Sequence, residues 1–141
     1  MNGVRQVTAA LAITVGLAGC GTNSAEGIYP VQGRVTYNGR PVANAQVTFH
    51  PVNAAGRDVR PVGKVDDQGQ FRLTTFKAGD GAHAGEYRVT VVWYLARQAR
   101  PGSDETVSVN YLPPKYASVE TSQLTVTVTP GSNELRPIEL K

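Results

Sequence analysis

A single cysteine stands in a chain of 141 residues, so no disulfide can form within it and its fold must hold by its own core. Charge is sparse: acidic and basic residues together make up 18%, and the formal net charge is only +3. Arg34, Arg57, Lys64, Arg72, Arg88 and Lys115 are scattered, and the densest basic group is the pair Arg97 and Arg100. The stripe of bases with interleaved aromatics that nucleic-acid binding requires is missing. No apolar run approaches the ~20 residues of a membrane-spanning helix. The longest, Val7 to Leu17, is interrupted by Thr8, Thr14 and Gly16. The two histidines, His50 and His83, have no partners at ligand spacing, so neither a zinc motif nor an acid–base constellation is readable. The chain is therefore expected to be no enzyme, with no catalytic residue, no metal, no cofactor and no nucleic-acid partner.

What is abundant points to a turn-rich β protein. Apolar residues reach 40%, and 15 Gly and 9 Pro punctuate the chain. A disordered segment would carry fewer apolar residues and more charge. The length suits one domain with a targeting segment rather than two cores.

The N-terminus accounts for the lone cysteine. A short polar start with Arg5, an apolar stretch and the small residues Ala18 and Gly19 precede Cys20, the three zones of a secretory signal. Leu17-Ala18-Gly19-Cys20 resembles the bacterial lipobox, which implies that the Cys20 sulfur receives diacylglycerol and that residues 1–19 are removed. Two or more acyl chains anchor stably, because each buried CH₂ contributes ~0.8 kcal/mol. Gly21 follows the cysteine where Asp would suggest inner-membrane retention, so the expected location is the cell envelope, lipid-anchored in the outer membrane and facing the periplasm. Residues 20–27 read as a lipidated tether, with a reach of roughly 15 Å.

From residue 28 to residue 141 the pattern is that of strands. Val31 to Tyr37 alternates, and Asn38-Gly39 supplies a hairpin turn. Ala45 to His50, Val62 to Val65, Gln70 to Thr75 and Glu86 to Tyr94 follow, the last with Tyr87, Val89, Val91 and Trp93 on one face. Leu95 to Glu105 reads as an irregular loop, and Leu112 to Tyr116 as a single helical turn. Leu124 to Thr129 alternates with threonine, and Leu135 to Leu140 closes the chain, with Pro137 marking an edge or a bulge. About seven short strands with turn signals between them predict an all-β, Greek-key β-sandwich.

Three segments carry a family resemblance. Val31-Gln32-Gly33-Arg34-Val35-Thr36-Tyr37-Asn38-Gly39-Arg40-Pro41-Val42-Ala43-Asn44-Ala45 resembles the opening of the carboxypeptidase regulatory-like domains. Asp67-Gln68-Gly69-Gln70-Phe71 and Gly85-Glu86-Tyr87-Arg88-Val89-Thr90-Val91 are similar to that family's second and third signatures. With the lipobox, the chain also looks like small envelope lipoproteins of planctomycete-type bacteria. The resemblance implies a transthyretin-like (prealbumin-like) sandwich in the envelope and no particular activity.

Candidate binding residues are few. Trp93 reads as core, whereas Tyr94, Tyr111 and Tyr116 are expected to be exposed and to form an aromatic platform for a sugar or peptide. Asp66-Asp67-Gln68-Gly69 reads as a turn rather than a calcium loop, which would need a closing Glu. The function expected from the sequence is a monomeric, membrane-anchored, non-catalytic interaction or structural module, whose partner is an envelope protein or a glycan. The alternative is a carbohydrate- or peptidoglycan-binding module.

Overall fold

Asn38 and Gly39 take positive φ, 49° and 78°, and turn the chain back on itself as the sequence predicts. The computed structural model describes residues 27–54 and 58–141; the signal segment, Cys20 and all of the tether but Gly27 lie outside the described residues. The strands are β1 (Ile28–Tyr29), β2 (Val31–Tyr37), β3 (Arg40–Pro41), β4 (Gln46–Pro51), β5 (Val62–Lys64), β6 (Gln70–Arg72), β7 (Ala82–His83), β8 (Gly85–Val92), β9 (Tyr94–Gln98), β10 (Thr106–Asn110), β11 (Leu124–Val128), β12 (Asn133–Glu134) and β13 (Ile138–Leu140). A 3₁₀ turn covers Pro114–Ala117, close to the predicted single helical turn. No helix among the described residues is long and apolar enough to cross a membrane.

The chain is an all-β sandwich. One sheet runs β11-β8-β4-β5, all antiparallel. The other is built around β2, with β3 and β6 antiparallel along one edge and β12 and β13 parallel along the other. Period-2 alternation explains the packing, since every second side chain on each strand points inward. Val31, Val35, Val47, Phe49, Phe71, Tyr87, Val89, Val91 and Val128 are all buried. Phe49 anchors the centre, its ring 5.6 Å from Tyr87 in its own sheet and 6.4 Å from Phe71 in the other.

Three sequence expectations need correction. Leu95 to Glu105 is not an irregular loop: β9 and β10 form a regular hairpin, with Leu95 opposite Val109 and Gln98 opposite Thr106. This ribbon pairs only with itself and stays largely exposed, so it needs no alternating apolar face to announce it. The strand predicted through Tyr94 stops at Val92, because the Trp93 amide donates to Asn110 Oδ1 (2.9 Å) and not to a neighbouring strand. The last strand is two pieces, β12 and β13, interrupted over 135–137 where Pro137 sits.

The registers give the sandwich two distinct ends. Gly27–Pro30, Val52, Thr74–Gly85 and Thr129–Ser132 gather where β2 and β8 begin and β4 finishes. At the opposite end lie the Asn38-Gly39 turn, Trp93 with the β9–β10 hairpin, the 3₁₀ turn and Lys141. β1 and β7 clasp the first end, pairing Ile28 with His83 and Tyr29 with Ala82.

Candidate functional site

The three tyrosines singled out from the sequence do not form one platform. Tyr116 is only 6% exposed, contrary to expectation. Its hydroxyl donates to the Lys141 carbonyl (3.0 Å) and accepts from the Lys141 amide (2.9 Å), fastening the chain's last strand to the core. Tyr94 and Tyr111 are exposed at 57% and 46%. Tyr94 lies opposite Asn110, so Tyr111, the next residue, projects to the other face of the ribbon. Tyr111 packs edge-on against Trp93 with ring centroids 6.1 Å apart. Trp93 itself is half-buried against the core, and its indole N–H donates to the Ala43 carbonyl at 2.8 Å.

Both histidines and the two turn aspartates are held by the fold. His50 Nε2 lies 2.9 Å from Thr90 Oγ1. Burial, and secondarily Arg60, hold the imidazole below its ordinary pKa, while Asp58 and Glu120 pull the other way. His83 Nδ1 contacts the Gly27 carbonyl at 3.2 Å, which ties it to the clasp at the N-terminal end. Asp66 Oδ1 accepts the amides of Gln68 (2.9 Å) and Gln70 (2.8 Å), the work of a turn residue. Asp80 accepts the amides of Thr75 (2.7 Å), Phe76 (3.0 Å) and Lys77 (2.9 Å). Burial alone would raise the Asp80 pKa, but these amide bonds outweigh it and the carboxyl sits below its ordinary value. Among the described residues, no group of three or more His, Cys, Asp or Glu is placed to hold a metal ion.

The sandwich is open along one seam. β11 ends one sheet and β12–β13 end the other, and no strand pairs with the outer edge of either among the described residues. Between them runs a groove of about 760 Å³ lined by 123–127 and 134–139. Half-buried Leu124, Val126 and Leu135 and buried Ile138 give it an apolar floor. The two edges differ in kind. The β12–β13 edge carries Glu134, Arg136, Pro137 and Glu139, the charges and proline that discourage strand addition. The β11 edge, Leu-Thr-Val-Thr-Val, has no charge or proline from Ser122 to Thr129. The uncharged threonine alternation was visible in the sequence, but its position at a sheet edge was not.

No protein-family model and no curated protein matches the chain, so the carboxypeptidase regulatory-like resemblance rests on its residues alone. Weak likenesses to solved structures exist. A 9R-lipoxygenase of Cyanothece is similar over 96% of this chain and 18% of that one, at 11% identity and TM-score 0.44. A DUF3823-family protein of Parabacteroides merdae is similar over 80% of this chain and 45% of that one, at 21% identity and TM-score 0.40. A proposed carbohydrate-binding protein of Pseudomonas aeruginosa is similar over 80% of this chain and 88% of that one, at 15% identity and TM-score 0.43. The chain thus spans under a fifth of the lipoxygenase and under half of the Parabacteroides protein.

Proposed function

We propose that the chain is a lipid-anchored, non-catalytic interaction module of the cell envelope, which binds an extended segment of an envelope protein by strand addition to β11. The uncapped β11 edge is the observation that carries this reading. An added strand would gain main-chain hydrogen bonds along β11 and insert alternate apolar side chains into the groove beside Leu124 and Val126. Anchoring rests on the lipobox: Cys20 carries the acyl chains, in the outer membrane and facing the periplasm, and the domain itself is monomeric.

The test introduces edge charges on exposed side chains. Thr125→Lys with Thr127→Lys is expected to change stability by no more than ~0.5 kcal/mol, as surface substitutions do. It is also expected to abolish the partner crosslinks that a photoreactive residue at Gln123 forms in the native envelope. Undiminished crosslinks would overturn the β11 site, and crosslinks only to a second copy of the chain would overturn the envelope-protein partner. Separately, Cys20→Ser is expected to take up no palmitate label; equal labelling would overturn the anchor.

A carbohydrate-binding reading has one supporting observation, the partly exposed Trp93–Tyr111 pair at the end remote from Gly27. It requires that Tyr111→Ala lose binding to peptidoglycan fragments.

A further inference from the structure

Two of the exposed large apolar side chains, Phe76 at 68% and Val52 at 54%, lie at the end of the sandwich where the chain enters. Phe76 is not loosely held. Its loop is tied by the three amide bonds to Asp80, by Thr75 Oγ1 donating to the Gly81 carbonyl (2.6 Å) and by the Gly79 amide donating to Thr74 Oγ1 (3.0 Å). An ordered loop therefore holds a large apolar ring out in solvent. The ring leans edge-on against His83, with centroids 6.4 Å apart, and His83 in turn pairs with Ile28 and contacts the Gly27 carbonyl. Phe76 is thus two contacts from the residue at which the tether meets the domain. Val52 belongs to the same end, its amide donating to the Glu86 carbonyl (2.9 Å) beside the start of β8.

Resting on the lipid-anchored reading above, we infer that this end of the sandwich lies on the bilayer, with Phe76 immersed among the lipid headgroups and Val52 beside it. The length of chain outside the described residues argues for this occupant. Gly27 lies seven residues after Cys20, a span of at most about 25 Å even when fully extended, so the end of the sandwich at Gly27 is the one held near the lipid. An exposed aromatic at the headgroup level is a stable interfacial contact, and Lys77, next in sequence, adds a positive charge suited to anionic lipid. Glu86 and the Asp80 carboxylate of the same loop are the opposing charges nearby, so the apolar Phe76 ring, and not net charge, is what the contact depends on. The domain would then stand upright. Tyr94 follows the far end of β8, about 30 Å away at ~3.3 Å per residue, and faces away from the membrane.

The experiment uses the full lipidated chain in phosphatidylethanolamine/phosphatidylglycerol vesicles with brominated acyl chains, which quench indole fluorescence at short range. The native Trp93, at the remote end, provides the baseline and is expected to be unquenched. The indole introduced by Phe76→Trp is expected to be blue-shifted and quenched about twofold, as an interfacial side chain would be. The indole introduced by Tyr94→Trp is expected to stay unquenched. If the chain floats with the vesicles but the position-76 indole behaves like Trp93, or positions 76 and 94 are quenched alike, the inference is overturned and the anchor stands. If the wild-type chain does not float with the vesicles, the anchor itself fails and the inference with it.

Discussion

Gly81→Ala is expected to destabilise the domain by about 4 kcal/mol, at the upper end of what single substitutions do. Gly81 has φ +103°, and a Cβ there would overlap the Tyr29 carbonyl oxygen and lie 2.8 Å from Pro30 Cα. These neighbours are backbone and cannot rotate away. The left-handed conformation costs a non-glycine residue roughly 1–2 kcal/mol by itself, and the overlap adds the rest by forcing β1 off β7. Gly79 is the internal control. Its φ is +71°, but nothing lies within 4 Å of an added Cβ, so Gly79→Ala is expected to cost only the conformational term of roughly 1–2 kcal/mol. Urea denaturation of both variants measures the difference, and amide exchange at Ile28 and Tyr29 locates it. Equal midpoints for the two would show that the close approach of Gly81 to Tyr29 contributes nothing.

Phe49→Ala is the second large effect. Phe49 is fully buried, and its ring touches Tyr87 and Phe71, so truncation removes transfer energy and leaves a cavity between the two sheets. Such changes cost about 3–5 kcal/mol, against a total of ~5–15 kcal/mol for a domain of this kind. The variant is expected to melt far below the wild type or to be recovered mostly unfolded. The edge-on contact to Phe71 should appear as coupling of about 0.5–1.5 kcal/mol in a double-mutant cycle of Phe49→Leu with Phe71→Leu. Strict additivity would mean that the two rings act independently.

The interior was legible because burial and strand period coincide. Val47, Phe49, Tyr87, Val89 and Val91 were readable as inward-facing, and they are. The β9–β10 hairpin was hidden because a ribbon satisfied by its own backbone bonds imposes little pattern on its side chains. Tyr116 misled for a related reason: a tyrosine between Lys115 and Ala117 looks like surface, and only the return of Lys141 to its hydroxyl reveals a core role. The β11 edge is a matter of topology. Leu124 to Val128 would read the same in the middle of a sheet, and only the strand order, with β8 on one side, leaves its other edge unpaired among the described residues. Phe76 is local in cause but not in meaning, since its proximity to Gly27 is made by β1 pairing with β7 across more than fifty residues.

The parallel pairing of β2 with β12 and β13 has a mechanical consequence. β2 begins at one end of the sandwich and β13 stops at the other, so a tension applied between Gly27 and Lys141 pulls two neighbouring strands past one another along their length. The bonds that join Val31 to Asn133 and Val35 to Ile138 are then loaded together in shear, not peeled apart in turn. A domain tugged at its remote end while held at its base would resist extension through this ladder once the short β1–β7 clasp had parted.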